Sequence, residues 1–416
     1  MITVKKFGFL VLTALLTACG PRGPLALFQK LSLHDQYAAR LKSAGLDKSA
    51  MGNRWLNLAD QVYSRPLDVE LPFKETGYFA AEKVNAAALR FKALRGQKLR
   101  ISITTRPANS FALYADLSQV KDDGSRRIVA SADSGELISC EVKSNGSYVL
   151  RLQPELLSGG EYTVTITTRP SLNFPVAVSG HPRIESFWGD SRDNGGRRHE
   201  GIDIFTPKGT PALAAAKGTV IRVGTNKLGG LVVLMQPDNE DYSLYYAHLG
   251  KQLVHDGQQV MPGDTVGTID NTGNAKTTPS HLHFGIYTSE GAVDPLPFVD
   301  RRTEEPPAIK LSLARLNDTM RNSRTGEPVV IAAASADRYQ VTGITGRLLW
   351  LAANSLSPLA AGRTVLRLTE PLYDRPDTTA ARKAMLKPGA TVSVLAKYDA
   401  FELVRYGGVT GWLYRR

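Results

Sequence analysis

His281-Leu282-His283-Phe284-Gly285 is the stretch on which the reading of this chain turns. In a strand, residues two apart project to one face, so His281 and His283 point together while Leu282 and Phe284 enter a core. Side-by-side imidazoles gain nothing from packing, whereas zinc binds neutral imidazole nitrogen at about 2.0 to 2.1 Å, so a metal is the economical explanation of the pair. In His199-Glu200-Gly201-Ile202-Asp203, the histidine and the aspartate can reach one ion from a turn leading into a strand. Two imidazoles and a carboxylate leave the open fourth position of a catalytic rather than a structural zinc site.

Around these residues, from about Val178 to Val299, the chain reads as β-rich. Short β-branched runs at Thr219 to Val223, Leu231 to Met235 and Thr265 to Ile269 are separated by Gly229-Gly230, Gly263 and Gly273. Four of the seven histidines, His199, His248, His281 and His283, gather there, His248 within Tyr246-Ala247-His248-Leu249. His34, His181 and His255 sit apart and read as ordinary surface or core residues. Asp190, Arg192, Arg197 and Arg198 read as a solvated charge run, or as groups that orient a substrate carboxylate.

Upstream, alternation at Leu99, Ile101 and Ile103, at Tyr148, Leu150 and Leu152, and at Tyr162, Val164 and Ile166 predicts strands with one buried face. Turn signals at Gly96, Asp123-Gly124, Asn145-Gly146 and Gly159-Gly160 space them as an antiparallel sandwich over residues 66–177. A helical lead-in precedes it over 19–65, with stripes at Leu33, Tyr37 and Leu41 and at Trp55, Ala59, Val62 and Tyr63, ended by Pro66 and Pro72. Downstream, Arg315-Leu316-Asn317-Asp318 is echoed by Arg367-Leu368-Thr369-Glu370, and Asp337 to Val341 by Asp399 to Leu403. Gly346 leading to Trp350-Leu351 likewise mirrors Gly411-Trp412-Leu413. Two copies of one small fold are expected, at 310–358 and 363–416, with Trp350 and Trp412 either core or ligand-stacking residues.

The N-terminus addresses the compartment. Lys5 and Lys6 precede an apolar run from Phe7 to Leu16 that is too short to span a bilayer, so residues 1–18 read as a signal peptide. Leu16-Thr17-Ala18-Cys19 looks like the lipobox of bacterial lipoproteins, making Cys19 the expected lipidation site and membrane anchor; Gly20 is compatible with transfer to an outer membrane, facing the periplasm. Only Cys140 remains, and no disulfide is expected. The 416 residues exceed one compact core, and 42% hydrophobic with 22% charged residues is ordinary globular composition. The formal net charge of +12 suits an anionic partner without choosing among nucleic acid, headgroups and a carboxylate-rich wall polymer.

Taken in order, His199 with Asp203, His248 after Tyr-Ala, Asn271-Thr272-Gly273-Asn274 and the element His281 to Gly285 resemble the lysostaphin-type, or LytM-like, zinc metallopeptidases that cleave peptidoglycan peptides. The resemblance covers roughly Pro182 to Val299, with Ser280 departing from a common proline. It implies one zinc ion on His199, Asp203 and His283, with His248 and His281 as uncoordinated catalytic histidines, and Glu200 as a solvated neighbour rather than a base. Residues 66–177 resemble sandwich domains that accompany secreted bacterial peptidases, and the second C-terminal copy resembles bacterial SH3-like barrels of wall-active enzymes. The expectation is a mainly β chain: an antiparallel peptidase domain over 178–300, preceded by the helical lead-in and sandwich and followed by two small SH3-like barrels. Its expected partners are peptidoglycan and a membrane, with no nucleic acid. The alternatives are a non-catalytic LytM-like activator of other wall hydrolases and a pure peptidoglycan-binding module.

Overall fold

The computed structural model describes residues 31–133, 135–359 and 362–415, so the signal segment and the lipidation site Cys19 lie outside the described residues. The protein is mostly β. Among the described residues no helix is long and apolar enough to cross a membrane.

Two capped helices open the described chain. The Ser32 hydroxyl accepts from the Asp35 N–H ahead of Leu33–Ser43, and Ser49 accepts from Gly52 ahead of Ala50–Gln61. The helices lie on a sheet through Trp55, which is buried, donates its indole N–H to the Pro154 carbonyl at 2.7 Å and stacks on His34. His34 is a core residue here, its Nε2 donating to Gln153 Oε1 at 2.7 Å, while His181 and His255 are exposed.

The sheet beneath them runs in the order Leu67–Asp68, Ala87–Ala93, Gly146–Pro154, Leu113–Val120, Arg126–Ala132. A second sheet faces it with Leu137–Glu141, Gln97–Arg106, Gly160–Pro170 and Phe73–Phe79. Along Gln97–Arg106 every second residue is buried, and Leu99, Ile101 and Ile103 meet Leu89, Leu117, Leu150 and Val164 in one core. The second sheet does not stop at the sandwich. Thr76 and Gly77 pair with Ala334 and Ala333, so it continues into Pro328–Ser335, Arg338–Thr342 and Leu348–Ala352 of the first C-terminal copy.

The two C-terminal copies share a hairpin with the same β-bulge, between Ile331 and Ala333 in one and between Val394 and Ala396 in the other. The bulges set the offset at 63 residues (394 minus 331), one more than the 62 that aligns Asp337 with Asp399. Trp350 lies opposite Gln340 and Trp412 opposite Leu403; the partners are 63 residues apart (403 minus 340) and the tryptophans 62 (412 minus 350), so the two indoles stand in near-equivalent places. Both indoles are packed: Trp350 against the sandwich core beside Phe73, Trp412 within its own core beside Tyr398.

Between these parts sits the histidine-bearing region, built on a sheet whose centre runs Arg183–Ser186, Ile202–Phe205, His281–Thr288, Tyr242–Gln252, Gly230–Pro237, Gly218–Asn226. The sandwich grips it through backbone bonds from Leu172 to Phe298 and from Asn173 to Ala215, and through the ion pairs Arg95–Asp241 and Lys143–Glu240, each 2.7 Å.

Candidate active site

Strand register brings the sequence-distant groups together. Asp203 pairs across the sheet with His283, Phe205 with His281, and Ala247 with His283 from the other side. Directly opposite residues share a face, so Asp203 and His283 stand side by side while Leu282 and Phe284, fully buried, fill the layer below. His199 reaches the same point from the turn before Ile202–Phe205.

His248 arrives by a different device. Alternation from Ala247 would send its ring to the opposite face. Instead two residues, Ala247 and His248, oppose the single Val232 in a bulge, and His248 is left-handed at φ 61°. That conformation is disfavoured for a side-chain-bearing residue and is held by its N–H to the Gly229 carbonyl at 2.7 Å. The result is an imidazole 4.8 Å from that of His281 and 5.9 Å from that of His283, between ring centroids.

Hydrogen bonds fix the chemistry of these rings. Nδ1 of His199, His248 and His281 each lies 2.8 Å from a backbone carbonyl, those of Phe187, Thr272 and Pro279 respectively. A carbonyl oxygen only accepts, so Nδ1 carries the proton in all three and Nε2 of the neutral ring presents a lone pair. At His199 that lone pair meets Nδ1 of His283 and Oδ1 of Asp203, and the three atoms are 3.0 Å from one another. Electron-rich atoms so converged call for a cation, and tetrahedral zinc with ligands at 2.0 to 2.1 Å would set their edges at about 3.3 Å. Among the described residues, His199, Asp203 and His283 form a group of donors that suits an ion.

Electrostatics agree with that use. For Asp203, burial pushes the pKa up, but His199 and His283, when a proton sits on the nitrogens facing it in the place a cation would take, outweigh this and hold the carboxyl well below the usual carboxylate range. Burial, helped by the neighbouring His281 and His283, lowers His248 to about 4, and burial lowers His283 despite Asp203. His248 is therefore a neutral imidazole at neutral pH.

These five side chains line one cleft of about 770 Å³, together with Arg192, Arg197, Arg198, Tyr245 and Tyr287. Its lining comes wholly from residues 186–287, so neither the sandwich nor the C-terminal copies cover it. Arg197 is paired with Asp193 at 2.6 Å, and Arg192, which lines the cleft, donates to Asp203 Oδ2 at 3.0 Å, a fixed partner that a purely solvated charge run does not have. Glu200 stands exposed at the rim, where it raises the Tyr287 pKa together with burial, the larger cause. Sequence reasoning missed Ser186, which meets both His199 and Arg192, and Tyr245, whose phenol accepts from Asn226 at 2.9 Å. Tyr245 had a signal, since it sits two residues before Ala247 on the strand facing His283; Ser186 had none.

Residues 197–295 match the model of Peptidase family M23, and residues 369–416 that of the bacterial SH3 domain. An L-Ala--D-Glu endopeptidase of Bacillus subtilis (strain 168) is 36% identical over 136 residues, which cover 30% of this chain and 41% of that relative. The murein hydrolase activator NlpD of Escherichia coli (strain K12) is 34% identical over 119 residues, 29% of each chain. The chain thus spans less than half the length of these curated relatives. The catalytic domain of lysostaphin from Staphylococcus simulans is similar over 28% of this chain and 92% of that one, at 30% identity and a TM-score of 0.27.

Proposed function

We propose, from the premise that residues 197–295 are a peptidase family M23 domain and residues 369–416 a bacterial SH3 domain, that this protein is a zinc-dependent endopeptidase hydrolysing peptide cross-links of peptidoglycan. The observation that carries the reading is the 3.0 Å triangle of His199, Asp203 and His283 with two further imidazoles, His248 and His281, lining the same cleft.

His199, Asp203 and His283 would hold the ion, which when bound supplies Lewis acidity toward a carbonyl oxygen and toward water. The protein does the rest. His248 and His281 have their Nδ1 protons tied to carbonyls, so each can gain or release a proton only at Nε2. His281 Nε2 lies 4.0 Å from Asp203 Oδ1, beside the triangle. One ring takes the proton of the attacking water at Nε2 as general base and passes that same proton to the leaving amine; the other donates to the developing oxyanion only as an imidazolium, having first gained a proton at its own Nε2. The Thr272 and Pro279 carbonyls hold both rings in the required tautomer, as in any base whose second nitrogen is anchored.

Lipidation at Cys19 would place the enzyme in the cell envelope, at an outer membrane facing the periplasm, and the SH3 domain would add a contact to the wall. A non-catalytic activator of other wall hydrolases requires none of the five side chains, and the relative NlpD is named a murein hydrolase activator. The test is zinc quantification on the purified chain, then mass analysis of muropeptides released by the wild type and by His283→Ala. Stoichiometric zinc and new free amines, both lost in the variant, are expected. Intact cross-links in the presence of bound zinc would defeat the hydrolase reading and leave the activator.

A further inference from the structure

Behind the ligand triangle a polar chain joins two of its corners. Arg192 Nη2 donates to Asp203 Oδ2 at 3.0 Å, the oxygen turned away from His199 and His283, and also donates to the Ser186 hydroxyl. Ser186 Oγ in turn lies 3.3 Å from His199 Nδ1 and 3.3 Å from Asp190 Oδ2. Asp190 Oδ2 accepts the Phe187 N–H at 2.7 Å, and the Phe187 carbonyl holds His199 Nδ1. Arg192 is itself placed by the short hairpin in which it pairs with Arg197 and by a bond from its Nη1 to the Ser191 carbonyl.

We infer that Arg192 is a positioning residue for the metal: it holds the Asp203 carboxylate with Oδ1 toward His199 and His283 and, through Ser186, steadies the His199 ring. This rests on the reading of the triangle as a zinc site. A carboxylate free to rotate would present either oxygen, or both, and its torsion would have to be frozen when the ion arrives. A planar guanidinium bound to one oxygen freezes it beforehand. The same cation balances a buried anion that would otherwise face only electron-rich neighbours. A lysine ammonium supplies the charge without the fixed plane, so it should serve less well.

The experiment measures zinc affinity by competition with a chromogenic chelator for the full chain and for Arg192→Gln and Arg192→Lys, with the visible absorption of the cobalt-loaded proteins as a second readout. Arg192→Gln is expected to weaken zinc by about 10- to 100-fold, in the range of lost partners to metal ligands, and to alter the cobalt bands; Arg192→Lys should recover part of the loss. Melting temperatures of the zinc-free proteins are recorded alongside, since a merely structural role would lower them and leave affinity alone. An affinity change below tenfold, or tighter binding from removal of a competing cation, overturns the assignment of Arg192 while the zinc site stands. Failure of the wild type to bind zinc overturns that site and this assignment with it.

Discussion

Gly201 is where the backbone comes nearest the ligand set. A Cβ there would stand 2.7 Å from Cε1 of His283 and 2.7 Å from the Phe284 carbonyl, closer than real contacts allow. One of these neighbours is backbone in a central strand, so it is the imidazole that must give. Gly201→Ala is therefore expected to cost about 1 to 3 kcal/mol of stability by overpacking, and to cut peptidase activity roughly 100-fold by displacing a ligand about an ångström. Zinc content, melting temperature and muropeptide release would check it; full activity at wild-type zinc occupancy would contradict it. The side chains of the site were legible in the sequence because their chemistry and spacing are local: His281 and His283 by alternation, His199 and Asp203 across a glycine. The groups that set their tautomers were not. A carbonyl such as that of Phe187, Thr272 or Pro279 is present at every residue, and only tertiary placement picks out the one that a ring nitrogen meets.

Regular strands were legible for the same reason, and bulged ones were not. Burial along Gln97–Arg106 follows the alternation read from the sequence, while along His281–Thr288 both faces are largely covered and the period shows instead in what the side chains meet, His281 and His283 the cleft and Leu282 and Phe284 the core. At Ala247 and His248 the period of two fails, and the bulge that turns His248 toward His281 has no signature in composition. In the C-terminal copies the hairpins superpose at an offset one residue longer than the one that aligns Asp337 with Asp399, because the likeness of the turn residues does not follow the strand register. The helical lead-in offers the cleaner test of an element. Trp55 is 1% exposed, and its indole is both hydrogen-bonded to Pro154 and stacked on His34. Trp55→Ala should lower the stability of the sandwich by about 3 to 5 kcal/mol, the usual range for a buried aromatic, while leaving zinc binding unchanged because no lead-in residue lines the cleft. Denaturant melts monitored beside a zinc-affinity measurement would decide. Equal loss of both would mean that the lead-in shapes the cleft after all.

Across the whole molecule, the sheet shared by the sandwich and the first C-terminal copy makes residues far apart in sequence depend on one another. Phe73–Phe79 is an inner strand only because Pro328–Ser335 lies against it, with Ser335 donating to the Lys74 carbonyl at 2.7 Å and Trp350 packed on the sandwich core. Ending the chain after residue 309 would bare that edge and is expected to make the sandwich aggregate; ending it after 359 should not. Light scattering and melting of the two truncations compare these directly. The same strand carries a second liability. Glu75 is fully buried, accepts from the Tyr162 hydroxyl at 3.0 Å through Oε1, and has no hydrogen-bond partner for Oε2 among the described residues. Burial raises its pKa to about 7, against which the Tyr162 bond works only in part. Its folded value thus lies above the unfolded one, so the native state holds a proton that the unfolded state has released between about pH 4.5 and 7. Stability from this group is full below that window and falls by about 3 kcal/mol as pH rises through it. Glu75→Gln, neutral at every pH and similar in shape, should match the wild type near pH 5 and melt higher at pH 8. A wild-type stability that stays flat between those values, or a variant with the same pH dependence as the parent, would show that this carboxyl is ionised in the folded sandwich.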